Sequence, residues 1–469
     1  MANSNTADTA VTKTNPVAAF FSALGSNFRE IGTTFAKGDW RTKLSYLIMG
    51  FGPLLRGQIA KGLGYLIAEG MFLWYMIGFG AQYISKFSTL GTVETQKIHR
   101  KTVYGDNSFL ILLFSILTIV IICALILLWR MNIRENFIEE KRLREGKPLE
   151  TNRHFLTSFL DGNFDKTLLA LPVLGIFMFT VLPIIFMICI AFTNYDKSHQ
   201  SPTHLFTWVG LENFRNLFSF GSNGFASTFG TVLTWTLVWA FFATFTTYFL
   251  GMAVAMLINK KGIRFKKLWR TILVVTIAVP QFVSLLYVAK MFAGDGLVNG
   301  YLLKWGVISQ PIPFWTNPTL SKIMIVLINI WIGIPYMMLI ATGLLMNIPS
   351  DLYESARIDG ASPWQMFWSI TLPYMLFVTG PYLLTSFTGN LNNFNVIYLL
   401  TQGGPTSGRL TGNAGYTDLL VTWLYKMTVT ATNYKMAAVI GIMVFLVTAV
   451  ISLIVYNMLP SVKDEEGFQ

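Results

Sequence analysis

Charge is scarce in this sequence. Asp, Glu, Lys and Arg make up 12% of its 469 residues, against about 25% in a soluble domain. That shortage excludes a surface facing water on all sides. Cysteine is scarcer still. Cys123 and Cys189 both fall in apolar runs, which argues against a disulfide framework or a thiolate metal site; they read as small buried hydrophobes. His99, His154, His199 and His204 are scattered, with no Cys or carboxylate at ligand spacing. They read as loop residues, and no metal site is expected. No G-x-x-x-x-G-K-[ST] phosphate loop occurs, because the one Gly-Lys pair, Gly146-Lys147, runs into Pro148. Nucleotide hydrolysis by this chain is therefore excluded. Within the apolar runs ionisable residues are nearly missing, with Glu69 and Lys290 as exceptions. Intramembrane charge is costly and functional by default, so its scarcity argues against a proton or sodium relay.

What the chain does have is apolar length. It is 53% hydrophobic, with a mean hydropathy of +0.53. A bilayer core needs about 20 apolar residues per helix. Eight runs qualify, near 63–84, 108–129, 168–192, 228–258, 271–291, 323–346, 374–398 and 436–459. An all-α polytopic membrane protein of about eight helices follows. The fourth run is long enough to tilt or to leave the membrane. The seventh is expected to be interrupted at Gly380-Pro381. Residues 44–55 are too short to span and read as re-entrant or interfacial.

Net charge is +12. The basic residues cluster in alternate loops, so topology explains the excess and a nucleic-acid partner is not needed. Eight Lys and Arg lie between Arg130 and Lys166, and six in "NKKGIRFKKLWR" (259–270). Those loops are placed in the cytoplasm, with both termini. Lys86, Lys97, Arg100 and Lys101 would then lie outside and weaken the pattern. The first 16 residues are polar, and no cleavable leader is expected. Phe20, Leu24, Phe28, Ile31 and Phe35 share one helical face, suited either to the membrane interface or to packing on the protein. The reading divides the chain into an N-terminal region with amphipathic and interfacial helices (1–62), two accessory spans with a basic linker (63–167), a six-helix core (168–460) and a tail (461–469).

Between the sixth and seventh runs lies "DLYESARIDGASPWQMFWSITLP", 351–373. Asp351 with Glu354 has the spacing of a capping box, Gly360 of a left-handed stop, and Ser362 with Gln365 of a second box behind Pro363. Pro373 is expected to break the helix. The result is a rigid two-helix elbow outside the bilayer. In the neighbouring runs, "NIWIGIPYMM" (329–338) and "SFTGNLNNFN" (386–395) bring amides and aromatics to membrane depth. Buried amides need partners, so they act as interhelical glue or line a polar cavity. Amides with aromatic planes suit a sugar's hydroxyls and ring face.

Glu354-Ser355-Ala356, Asp359, Gly360, Ile370, Leu372 and Pro373 resemble the EAA loop of ABC importer permeases, with Ser355 in place of the first alanine. Span six, "NLNNFNVIYLLTQGGP" (390–405) and "AGYTDLLVTWLYKM" (414–427) resemble the larger transmembrane subunit of maltose/maltodextrin importers. The likeness runs over roughly 168–460. It implies a type I importer core whose cytoplasmic coupling helix docks on an ATPase. It also implies that Gln281, Asn329, Ile332, Gly333, Tyr336, Gly389, Asn390 and Asn393 hold the sugar midway. Gln281 stands where the best-known member has a small hydroxyl residue, Gly389 where it has an aromatic, and Ile277 where it has a tyrosine. A different sugar length or linkage is then open, galacto-oligosaccharides included. The partners implied are a second permease subunit, two ATPase subunits carrying ATP and magnesium, an extracytoplasmic solute-binding protein, the oligosaccharide and membrane lipid. Tyr416, Trp423 and Tyr425 would offer contact surface to the binding protein. The connection 193–227 is too short for the large insertion of the enteric permease, which fits a plasma membrane with a lipid-anchored binding protein. A stand-alone carrier would leave the elbow unexplained, and a membrane-embedded enzyme finds no catalytic constellation.

Overall fold

The computed structural model describes residues 25, 29–98, 101–219, 224–260 and 262–458. Among the described residues, seven helices are long and apolar enough to cross a membrane, or eight if one sharply bent pair counts as a span. The chain forms two compact units, 1–186 with 201–205, and 187–200 with 206–469.

The first unit contains short helices α1 (Trp40–Leu44) and α2 (Phe51–Leu55), then α3 (Ile59–Ser85) and α4 (Ser108–Arg144). A small hairpin of β1 (Gln96–Ile98) and β2 (Lys101–Val103) separates the two long helices. Helix α5 (Asn152–Ser158) precedes α6 (Phe164–Ile190). Asn107 caps α4, its side-chain oxygen accepting from the Leu110 N–H at 3.2 Å. The 37 residues of α4 extend about 55 Å at 1.5 Å each, well beyond a hydrocarbon core of about 30 Å. Its second half therefore stands outside the bilayer and carries Arg130 to Arg144.

Residues 44–55 are not a bare interfacial run. They fold over a buried polar network on that extension of α4. Arg56, 9% exposed, donates to Asp39 at 2.9 Å, Thr42 at 2.8 Å and the Asn136 side chain at 2.8 Å. Glu140 accepts from the Thr42 hydroxyl and the Asp39 N–H. Asn132 accepts from the Gly50 N–H and donates to the Ser45 carbonyl. Of the expected apolar stripe, Phe20, Leu24 and Phe28 lie outside the described residues. Ile31 and Phe35 lie on a helix over 29–37, and Phe35 meets Tyr46 edge-on at 5.2 Å. Tyr46 in turn meets Trp129 of α4 at 5.6 Å, so this end of the stripe packs on the protein. Cys123 is exposed rather than buried, as a lipid-facing position on α4 allows.

The second unit holds α7 (Glu212–Phe218), α8 (Phe225–Asn259), α9 (Lys266–Ala278), α10 (Gln281–Met291), α11 (Leu297–Lys304) and α12 (Pro318–Leu345). It continues with α13 (Ser350–Ile358), α14 (Pro363–Met366), α15 (Leu372–Leu391), α16 (Phe394–Thr401), α17 (Leu420–Val429) and α18 (Tyr434–Met458). Helix α8 packs along α12 and α15. Two glycines let the backbones close up. A β-carbon on Gly251 would lie 2.6 Å from the Met337 side chain, and one on Gly333 would lie 2.6 Å from Thr247, which is the small-residue logic of membrane helix packing. Two apolar clusters result. One gathers Trp235, Trp239, Ala243, Leu285, Ile328, Leu391 and Val396. The other gathers Tyr248, Met252, Met337, Ala341, Leu372 and Met375.

Prolines behave differently from expectation. The fifth run is not a straight span, since α9 and α10 meet at 91° across Val279-Pro280. Gly380-Pro381 does not interrupt the seventh, because α15 runs through Pro381. Likewise α12 runs through Pro335. In a bundle, neighbouring helices and local adjustments absorb the backbone groups a proline frees.

Arg56→Ala is expected to destabilise the first unit by about 1–3 kcal/mol, since it leaves the buried Asn136 side-chain oxygen without its donor. Lys147→Ala should leave unfolding unchanged. Thermal unfolding of the detergent-solubilised protein checks both, and equal midpoints for Arg56→Ala and wild type would remove the network from this account.

Candidate functional site

The two apolar clusters leave a polar level between them. On α8 it comprises Thr244 and Thr247, between Ala243 and Tyr248. On α12 it runs from Asn329 to Tyr336, between Ile328 and Met337. On α15 it reaches to Asn390, beside Leu391. The sites expected from sequence fall at this level in two groups.

The first group lines a cavity of about 400 Å³ formed at the bend between α9 and α10 and the facing side of α12. Gln281, Ile332 and Tyr336 lie on it, together with Trp331, Ile277, Thr276 and Ser284. Gln281 is there because the Pro280 break makes it the first residue of α10. None of the lining residues is Asp, Glu, Lys, Arg or His.

The second group is an amide cluster. Asn390 donates to the Thr244 hydroxyl at 3.0 Å, and Asn393 donates to the Asn390 side-chain oxygen at 3.2 Å. Trp239 donates to the Asn390 carbonyl at 3.0 Å. Asn329 donates to the Ala243 carbonyl at 3.4 Å. These bonds join α8 to α12 and α15, so part of the amide capacity does serve as glue. Asn393 has a further job. The seventh run breaks at Asn392-Asn393, and the Asn393 side chain accepts from the Val396 N–H at 3.2 Å to cap α16. Gly389 is exposed, with open space around it, and Gly333 abuts Thr247. Asn329, Gly333, Gly389, Asn390 and Asn393 do not line the cavity of the first group.

Sequence reading missed the α8 face. Thr244 anchors Asn390, and the Thr247 hydroxyl is buried with no hydrogen-bond partner among the described residues. The signal was the small hydroxyl run "ATFTTY" (243–248) in an otherwise bulky span.

The elbow follows its expected chemistry only in part. Helix α13 starts at Ser350 after Pro349, so Asp351 lies in its first turn and neither caps it nor forms a box with Glu354. Gly360 does end it, at φ +79°. The Gly360 N–H donates to the Arg357 carbonyl at 3.1 Å and the Ala361 N–H to the Ala356 carbonyl at 2.8 Å, a Schellman closure. The Ser362–Gln365 box is complete. Pro373 breaks nothing. A π-turn over Phe367–Thr371 feeds straight into α15, and Pro373 follows it directly, where the widened turn accommodates a residue without an N–H. Glu354, Ser355, Asp359 and Gly360 are exposed and Ala356 and Ile370 half-buried. Leu372 is buried in the second apolar cluster. The Tyr353 hydroxyl meets the Thr371 hydroxyl at 2.9 Å, so α13 is tied to the start of α15.

At the other end of the unit, the segment 402–419 folds around Asp418, which is fully buried. Asp418 accepts from the Gly415 N–H at 2.7 Å, the Thr422 hydroxyl at 2.8 Å and the Lys426 ammonium at 2.7 Å. Burial pushes its carboxyl up, against the pull of Lys426. Trp423 is not contact surface. It is fully buried and donates to the Gly412 carbonyl at 3.0 Å. Among the described residues no group of His, Cys, Asp and Glu could hold a metal.

Residues 247–464 match the family described as the binding-protein-dependent transport system inner membrane component. The chain is 36% identical over 422 residues to a galactooligosaccharide transport system permease of Bacillus subtilis, covering 89% of this chain and 97% of that one. It is 32% identical over 437 residues to a maltodextrin transport system permease of Streptococcus pneumoniae, covering 91% and 97%. In fold it resembles a chain of a bacterial ABC transporter that imports alginate, with a TM-score of 0.54 at 23% identity over 66% of this chain and all of that one.

The cap predicts a separation of roles at Asn393. Asn393→Ala is expected to lower stability by about 1 kcal/mol, whereas Asn393→Ser keeps a cap acceptor and gives up only the donor to Asn390. Thermal denaturation of the two variants side by side checks this.

Proposed function

The chain belongs to the binding-protein-dependent inner membrane components, as a permease of an ABC carbohydrate importer, and on that premise we propose that it carries malto-oligosaccharides through the polar level between α8, α12 and α15. One observation supports a neutral sugar above all. The cavity at the α9–α10 bend is lined by amide, hydroxyl, aromatic and aliphatic groups, with no acidic or basic side chain. A charged cargo in a low-dielectric site would need a counter-charge. Gln281 and Tyr336 offer donors and acceptors, and Trp331 a ring face. Asn329, Ile332, Gly333, Gly389, Asn390 and Asn393 complete the path by resemblance. A second reading, galacto-oligosaccharide, is favoured by the Bacillus subtilis relative and by Ile277, which supplies no hydroxyl to the cavity.

In this reading the chain pairs with a second permease subunit and two ATPase subunits that bind ATP and magnesium. A solute-binding protein delivers the sugar at the 402–419 end. The basic loops and both termini face the cytoplasm, so α13 is the element an ATPase grips. Glu354, Ser355, Ala356, Asp359 and Gly360 form its outer surface and its stop. Movement of α13 passes through Tyr353–Thr371, Ile370, Leu372 and Pro373 into α15, and so to Asn390.

The complete importer in nanodiscs, with its binding protein, is the test. ATPase rate is measured against maltodextrins, galacto-oligosaccharides and sucrose. Stimulation by maltodextrins, with transport lost in Asn390→Ala, is the expected result. Stimulation by galacto-oligosaccharides alone keeps the machine and replaces the sugar, and no stimulation by any glycan removes the sugar reading. Glu354→Lys and Gly360→Pro should insert normally yet lose ATPase assembly or coupling. Normal sugar-stimulated hydrolysis in both would sink the coupling role.

A further inference from the structure

The segment 402–419 does more than connect α16 to α17. With the ends of those helices it walls an open groove of about 910 Å³. The groove shares no lining residue with the cavity at the α9–α10 bend. Four side chains on it, Gln402, Thr406, Asn413 and Thr430, are exposed polar groups. None of the four makes a side-chain hydrogen bond among the described residues. Tyr398 also lines the groove, its ring packed on Phe394 at 4.8 Å and on Tyr425 at 5.1 Å. Lys426 is the one acidic or basic side chain on the lining. Its charge is met locally, with Nζ 2.7 Å from the buried Asp418 carboxylate and donating to the Asn413 carbonyl at 3.2 Å.

The groove is built into the fold. Asp418 gathers Gly415, Thr422 and Lys426 beneath it. A β-carbon on Gly403 would collide with the Asp418 carboxylate, and one on Gly412 would lie 2.5 Å from the Met427 sulfur. Packing that close fixes the segment in one arrangement. Burying an ion pair costs desolvation, which a plain connection between two helices does not require.

Two of the polar lining residues stand in left-handed backbone. Gln402 ends α16 at φ +51°, and Asn413 lies at φ +58°. Asparagine tolerates that conformation, but at a helix end it is glycine that usually takes it. Glutamine gains nothing from it. A side chain held there against backbone preference, with no partner in the chain, marks a group kept for an outside ligand.

The chemistry of the lining selects that ligand. An apolar occupant would strip water from four polar groups and return no hydrogen bond. A charged occupant would meet only a lysine that is already paired. Neutral amides and hydroxyls beside an aromatic wall match the hydroxyls of a sugar, and the volume lies within the range of about 300–1,000 Å³ usual for a small-molecule site.

We propose that this groove is a second carbohydrate site, which takes a neutral oligosaccharide apart from the polar level of α8, α12 and α15. Helix α16 carries Asn393 at its start and Gln402 at its end, so its eight residues separate the two by about 12 Å at 1.5 Å each. That the bound glycan is also the transported one rests on the sugar reading above; the binding at the groove does not.

The experiment is a saturation-transfer NMR titration of the assembled importer in nanodiscs, without its binding protein. Maltoheptaose and a galactotetraose are the probes, and sorbitol is the control. Asn390→Ala is the background, so that the mid-membrane level contributes less. At least one glycan is expected to bind where sorbitol does not. Gln402→Gly and Thr430→Val should each weaken it about three- to tenfold, the loss of hydrogen bonds to neutral hydroxyls. Gln402→Gly should melt close to the parent, because glycine suits a left-handed helix end. Arg409→Gln, in the same segment but off the lining, should bind as the parent does. Absence of glycan binding overturns the proposal, as does a response that sorbitol reproduces or equal affinity in both groove variants. Gln402→Gly that binds glycan normally but loses affinity for the binding protein overturns it too, since the groove then belongs to that partner. Glycan-stimulated ATPase is read in parallel with Asn390 intact. Stimulation without groove binding sinks this site alone, and groove binding without stimulation by any glycan sinks the transport reading alone.

Discussion

The close approach of α8 to α12 and α15 is the constraint on which the second unit depends. In hydrocarbon there is no hydrophobic drive to bring helices together, so packing and satisfied polar groups must do it. Gly251 and Gly333 allow the contact, each meeting a side chain where a β-carbon would collide. Apolar clusters form on either side of that contact. What remains between them is a thin level where Thr244, Asn329 and Asn390 meet. The polar level is thus a product of the packing: the clusters hold three helices in register, and the amides bond to one another, to the Thr244 hydroxyl and to the backbone.

Two breaks open that level. One is the 91° bend before Gln281, the other the gap at Asn392-Asn393. The helices that follow them, α10 and α16, pack on each other. Non-helical backbone at membrane depth is tolerated where it lines a cavity or is buried in protein, and the first break, at Val279-Pro280, lines the cavity. The elbow joins the same framework from the other end. Tyr353 bonds Thr371, and Leu372 enters the apolar cluster beside Met375. A load on α13 therefore has a short, packed route into α15, the helix that carries Asn390.

The first unit is stabilised on a different principle. Its extramembrane end is organised around ionic and amide groups on α4, with Arg56 and Lys61 each serving more than one carboxylate. Removing one partner from such an arrangement costs more than the pair contributes. Glu139 is the exception in the same region, with one carboxylate oxygen bonded to Arg142 and the other buried without a hydrogen-bond partner among the described residues.

Features set by near neighbours were legible in the sequence alone. Apolar run length gave the spans, because bilayer thickness is a fixed ruler. The Gly360 stop and the Ser362–Gln365 box were readable because both close within a few residues. The missing phosphate loop and the near absence of intramembrane charge limited the chemistry without any structure. Features set by distant partners were not legible. Pro335, Pro373 and Pro381 all stay within helices, because surrounding packing and a π-turn absorb what a proline disrupts in isolation. Trp423 looked like contact surface until the fold buried it on Gly412. Asn393 looked like a cavity amide, and the fold made it a cap as well. The ion pairs of Arg56 with Glu140 and Lys61 with Glu135 join residues more than seventy positions apart. Local rules see only a few residues at a time, so burial and long-range pairing were left for tertiary packing to decide.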